Sequence, residues 1–124
     1  MVRLGKASRA LGSFGEGVAT QYLQSKGFQV LARNWRCEHG ELDIVAWEPS
    51  EHVVVFIEVK TRSGSGFGAP IEAVTPTKAR RLYQLAYMWL DAHEARGSKI
   101  RVDAIGVLLG GKAPEITHVR GVAA

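Results

Sequence analysis

His52-Val53-Val54-Val55-Phe56-Ile57-Glu58-Val59-Lys60-Thr61-Arg62 is an apolar run that ends in a carboxylate and an ammonium two residues apart. Val, Ile and Phe dominate it and neither Gly nor Pro interrupts it, so it reads as a buried strand. Side chains alternate along a strand, which sets Val54, Phe56, Glu58 and Lys60 on one face and Val53, Val55, Ile57 and Val59 on the other. Charges on the face that Phe56 buries are costly unless they have partners or a task.

Immediately upstream, Gly40-Glu41-Leu42-Asp43-Ile44-Val45-Ala46-Trp47 is also strand-like. If Pro49 to His52 form a four-residue hairpin loop, Glu48 faces Val53. That register sets Asp43 opposite Glu58 and Glu41 opposite Lys60. Directly opposed residues of an antiparallel pair share a face, with Cβ atoms about 4.5–5.5 Å apart. Two carboxylates so placed repel each other, yet they can share a divalent cation at metal–oxygen distances of roughly 2.1 Å. A slip of one residue would send them to opposite faces.

The 124 residues suffice for one domain, residues 1–124, with 1–8 and 121–124 expected to fray. Composition is that of a globular chain, which argues against disorder or a fibrous class. Neither a membrane span nor a signal peptide is expected. One cysteine, Cys37, leaves no internal disulfide and suits a reducing cytoplasm, the expected location. A net charge of +4 is compatible with a polyanionic partner and decides nothing alone.

A first helix is expected from about Arg9 to Lys26, with Leu11, Phe14, Val18 and Tyr22 at helical spacing and Gly27 just past its end. Gly12, Gly15 and Gly17 weaken it and suggest a close backbone approach. Glu16 falls on the buried shoulder of the apolar stripe, which makes it a candidate beside its bland reading as a partly exposed helix acid. Phe28 to Arg36 reads as the first strand, with Val30, Ala32 and Asn34 on one face and Leu31, Arg33 and Trp35 on the other. Cys37 and His39 have no second ligand pair at zinc spacing.

Ser63 to Pro70 is a glycine-rich loop without the Lys-Ser/Thr of a phosphate-binding P-loop. It reads equally as a linker or as a flap over a substrate. Thr75-Pro76 marks an N-cap and first helical residue, opening a helix to about Arg96. Ala79, Leu82, Tyr83, Ala86, Trp89, Leu90 and His93 form its expected core stripe. Lys78, Arg80 and Arg81 in its first turns oppose the helix dipole, which makes phosphate contact plausible there. Strands follow at Ile100 to Leu109, with Asp103 among apolar neighbours, and at Glu115 to Val119. The long helix provides the crossover to the fourth strand.

Asp43 followed by Glu58-Val59-Lys60, on a hairpin behind a helix carrying Glu16, resembles the PD-(D/E)xK nuclease superfamily. Further blocks match a narrower pattern: Gly15-Glu16 with Ala19, Asn34-Trp35-Arg36, Gly40 to Val45, Phe56 to Arg62, Ala73-Val74-Thr75-Pro76 with Lys78, and Arg101-Val102-Asp103. Together they resemble the YraN-type family of small bacterial proteins, similar in fold to archaeal Holliday-junction resolvases. Leu42 stands where the superfamily name has Pro, and the chain after Leu109 shows no match. The resemblance implies an α/β, restriction-endonuclease-like fold: a central mixed sheet of about five strands flanked by helices.

It further implies a metal-dependent endonuclease acting on DNA, on branched or damaged structures, with Glu16, Asp43, Glu58 and Lys60 as catalytic residues. Asp43, Glu58 and the Val59 carbonyl would hold Mg²⁺ or Mn²⁺, with Glu16 as a further ligand, and Arg36, Arg62, Lys78 and Arg81 would hold the nucleic-acid backbone. A homodimer is the analogous assembly. Two other readings stand beside it. One is a nucleic-acid-binding module that keeps the fold but has no chemistry. The other makes Glu41–Lys60 a cross-strand ion pair and Asp43/Glu58 a solvated rim.

Overall fold

β3 (Val53–Ser63) is the middle strand of a five-stranded sheet and buries both of its faces. The computed structural model describes residues 6–64 and 75–123, with the backbone alone for 6–8. α1 (Lys6–Ser25) precedes β1 (Gln29–Cys37) and β2 (Gly40–Glu48); after β3 come α2 (Pro76–Ala92), β4 (Ile100–Leu109) and β5 (Glu115–Val119). The sheet order is β1-β2-β3-β4-β5, antiparallel except for β3 and β4, which run parallel through the α2 crossover. This α/β arrangement, a mixed five-stranded sheet between two helices, is restriction-endonuclease-like, as expected.

Alternation along β3 divides the core in two. Val53, Val55 and Ile57 pack with Ala19 and Leu23 of α1 and with Ile105 and Val107 of β4. Val54 and Phe56 pack on the other side with Leu82, Leu85, Ala86 and Trp89 of α2. Phe56 meets Trp89 edge-on, their ring centroids 5.8 Å apart.

The hairpin keeps the register its loop length implies: Glu48 pairs with Val53 and Ile44 with Ile57. β4 and β5 occupy the spans read from the pattern. Thr75 caps α2, its Oγ1 accepting from Lys78 N–H at 3.2 Å, with Pro76 behind it.

Four expectations need correction. α1 begins at Lys6, three residues earlier than read, because nothing in the sequence there breaks a helix. α2 ends at Ala92, capped at His93, and Glu94 turns to φ +54°; the buried stripe takes in Leu85, whereas His93 is exposed. The faces of β1 do not alternate simply. A register shift between Val30 and Ala32 and a left-handed Asn34 (φ +54°) turn Ala32, Trp35 and Cys37 all toward the α2 side. The C-terminal segment is anchored as far as Val122, where Gly121 N–H donates to Asp103 Oδ1 and Val122 N–H to the Val102 carbonyl. The glycine-rich flap, beyond Gly64, lies outside the described residues.

Candidate functional site

Where β2 and β3 stop pairing, the sheet opens into a cluster of charged side chains. The last ladder pair is Ile44 with Ile57. One step on, Asp43 turns its carboxylate to β3, where Oδ2 accepts the N–H of Val59 at 2.9 Å and lies within the field of Glu58. A carboxylate thus replaces the backbone acceptor that a continued ladder would supply. Glu58 lies on the Phe56 face, toward α2, and its Oε1 holds Lys60 Nζ at 3.2 Å. Both side chains of that pair are largely sheltered.

The expected Glu41–Lys60 opposition does not form. Glu41 pairs instead with Arg36, 2.8 Å away, and Lys60 with its own strand neighbour, because the strands have already diverged. The reading of Glu41–Lys60 as a plain ion pair falls with it.

Burial and the charge of Glu58 push the Asp43 carboxyl up to about 7, against the Val59 N–H that favours ionisation; Glu16 and Glu41 add to the repulsion. Glu16 projects from α1 into the same field. Burial, helped by Glu41 and Glu58, raises its pKa although Arg33 and an Asn34 hydrogen bond oppose the rise. Its Oε1 is fully sheltered and has no hydrogen-bond partner among the described residues. The helix delivers Glu16 there because Gly15 lets the backbone touch β3: a Cβ on Gly15 would stand 1.9 Å from Thr61 Oγ1. Gly12 and Gly17 face open space, so the close approach belongs to Gly15 alone of the three.

Lys78, in the first turn of α2, reaches the same spot from the other side. Its hydrogen-bonding contact with Lys60 and its own burial hold its pKa below the ordinary lysine value. Burial acts on Lys60 too, but Lys78, Glu58 and Asp43 together hold its ammonium above the usual value. Two amines sharing one proton-rich site beside two acids form an arrangement able to receive an anion.

Two open clefts meet at Glu41. One, of about 530 Å³, lies against α1 and is lined by Glu16, Asn34 and Arg36 among others. The other, of about 270 Å³, lies against α2 and is lined by Glu58, Lys78 and Arg81. Arg36 and Arg81 therefore flank the acids on opposite sides, and Arg81 is braced by donating to the His39 carbonyl at 3.0 Å. Arg62 lies two residues beyond Lys60 on β3 and lines neither cleft.

A second polar cluster went unread in the sequence. Asp103 is fully buried, yet its oxygens accept from Arg101 at 2.7 and 2.9 Å, from His118 Nε2 at 2.8 Å and from Gly121 N–H at 3.0 Å. Arg101 and Arg120 both pair with buried Glu48, and His118 Nδ1 meets the Tyr22 hydroxyl at 3.0 Å. Despite burial, these partners hold both acids below the usual carboxylate range. The network ties β2, β4, β5 and α1 together; in the parallel ladder Asp103 pairs with Ile57, on the face of β3 opposite to that of Phe56 and Glu58. An Asp amid apolar neighbours in β4 was its one sequence signal.

Compared with known proteins, residues 15–107 match the model described as Uncharacterised protein family UPF0102. The chain belongs to UPF0102. This is the YraN family that the motif blocks resemble. A UPF0102 protein of Mycolicibacterium smegmatis is 53% identical over 113 residues, covering 90% of this chain and 91% of the relative. One from Mycobacterium sp. strain JLS is 51% identical over 115 residues, with 92% and 85% covered. One from Mycobacterium tuberculosis is 48% identical over 116 residues, with 90% and 91% covered. The UPF0102 match spans Glu16, Asp43, Glu58, Lys60 and Lys78, and it takes in Glu48, Arg101 and Asp103 of the second cluster but not His118, Arg120 or Gly121. Among the described residues of this UPF0102 chain, no helix is long and apolar enough to cross a membrane.

Proposed function

We propose that this chain is a divalent-cation-dependent nuclease that hydrolyses phosphodiester bonds in DNA, with branched or damaged structures as substrates. One observation carries the reading: Asp43, held on the Val59 N–H at 2.9 Å, stands beside Glu58, which holds Lys60 at 3.2 Å and lines one cleft with Lys78, and burial with Glu58 pushes the Asp43 carboxyl up. Acids and amines forced together at such cost are characteristic of functional sites.

Among the described residues no three His, Cys, Asp or Glu side chains are grouped tightly enough to enclose a metal by themselves. The donor set fits Mg²⁺ or Mn²⁺ nonetheless, because such an ion keeps several waters and takes one or two carboxylates plus phosphate oxygens. Asp43 and Glu58 would hold it with the Val59 carbonyl, and Glu16 Oε1, without a hydrogen-bond partner among the described residues, would supply a further acceptor from α1. When bound, the ion lowers the pKa of a water and neutralises charge on the phosphate. Lys60, fixed on Glu58, positions the attacking water and meets the negative charge that builds on the phosphate in the transition state. Lys78, Arg36, Arg62 and Arg81 hold neighbouring backbone phosphates. A two-fold dimer acting on a junction belongs to the same proposal by analogy.

The test is cleavage of linear, flapped and four-way-junction DNAs with Mg²⁺ or Mn²⁺. Metal-dependent products that vanish in Lys60→Ala support the reading. Salt-sensitive binding that survives Asp43→Ala and Glu58→Ala, with no cleavage of any substrate, is the behaviour of a binding module and overturns it.

A further inference from the structure

The cleft beside Glu58 does not end at Arg81. It runs on along the exposed side of α2 into a wider hollow of about 390 Å³, and Arg81 and Leu85 line both. That volume lies in the roughly 300–1,000 Å³ range of small-molecule sites. Its floor is apolar, made by Leu85 and the half-buried Met88. Its rim carries Arg80, Arg81 and Gln84. Arg80 is steered by Thr77, whose Oγ1 accepts from its guanidinium at 3.3 Å, as Arg81 is by the His39 carbonyl. Gln84 is exposed, and its amide has no partner among the described residues.

We propose that this hollow receives an unpaired base of the nucleic acid whose backbone lies across Glu58 and Lys78. The inference rests on the nuclease reading for its neighbour site and adds what that reading lacks, a preference for single-stranded segments. A duplex turns phosphates and sugars toward a protein, and for those an apolar floor has no use. A splayed base has a flat apolar face for Leu85 and Met88, stacks on a guanidinium plane, and offers edges that an amide can bond. The cations on the rim match the phosphates on either side of it.

Binding is read by fluorescence anisotropy in EDTA at one fixed salt concentration. The probes are a labelled mixed-sequence single strand and a blunt duplex of the same length. Gln84→Glu and Met88→Glu are compared with Gln29→Glu, an exposed position at the opposite end of the sheet. The wild type should hold the single strand more tightly than the duplex. Each cleft variant should weaken single-strand binding by about tenfold and duplex binding by no more than about twofold, and Gln29→Glu should change neither. Equal losses on both probes, or no loss in Gln84→Glu, overturn the proposal. Because no metal is present, a protein that binds selectively but never cleaves refutes the nuclease reading and leaves this one standing. Metal-dependent cleavage without single-strand selectivity does the reverse.

Discussion

Asp43 concentrates the tension of the molecule in one carboxyl. Its pKa rises from 3.8 to about 7 on folding, so between those values the native chain keeps a proton that the unfolded chain has released. The native state then binds more protons, and stability falls as pH rises from about 4 to about 7, with the full loss above 7. The effect is on the order of 1–4 kcal/mol. Asp43→Asn should flatten this fall and be more stable than the wild type at pH 8 in metal-free urea unfolding. A variant less stable than the wild type at pH 8 would show that the charge carries no such penalty. The paired amines separate in the same way. Lys60→Met strands Glu58 and should cost about 1–2 kcal/mol, below the fully buried case because both side chains keep some exposure. Lys78→Met removes an amine that no carboxylate holds in a salt bridge among the described residues and should cost less than about 0.5 kcal/mol, which unfolding curves would separate.

At the scale of elements, the site depends on how closely α1 lies on β3. Gly15→Ala puts a methyl into Thr61, and neither the Oγ1 nor the Cβ it meets is the far end of a flexible chain. It should cost about 1–3 kcal/mol and displace Glu16 from the acids. Gly17→Ala meets nothing within 4 Å and should instead gain up to about 1 kcal/mol as better helix. Thermal unfolding of the two variants measures opposite signs; the same sign for both would mean that the helix rides farther from the strand. The sequence announced a close approach but could not say which glycine made it, because that depends on Thr61 of β3, 46 positions away. It did reveal the hairpin register from Glu48/Val53 to Ile44/Ile57, since loop length and alternation are local. It did not reveal the divergence of the strands past Ile44, nor the turned faces of β1, because simple alternation does not anticipate a register shift or a left-handed residue inside a strand.

Across the whole molecule, two polar centres flank β3 and behave oppositely. Around Asp103 and Glu48 every charge has a partner, and both acids titrate below their ordinary values. Stability from these acids is present above the unfolded carboxylate range and is lost as pH falls through their lower folded values. Asp103→Ala takes from Arg101, His118 and the Gly121 N–H the acceptor they share, leaving Arg101 only Glu48, and should cost about 3–5 kcal/mol in urea unfolding at neutral pH; a loss under about 1 kcal/mol would mean the network is idle. No motif announced it, because its members range from Tyr22 to Gly121 and meet only once the sheet is assembled. Around Asp43 the charges are left unresolved, and that contrast is the reason to place chemistry there.

The most direct measurement is calorimetric titration of the metal-free protein with Mn²⁺ at pH 6 and pH 8.5, in buffers of different ionisation enthalpy. The expected result is one site that expels close to one proton at pH 6 and almost none at pH 8.5, since a ligand must lose its proton before it binds metal. Asp43→Asn and Glu58→Gln should each abolish the site. Binding that releases no proton at either pH, or that survives both substitutions, would contradict the assignment of the metal to these two carboxylates.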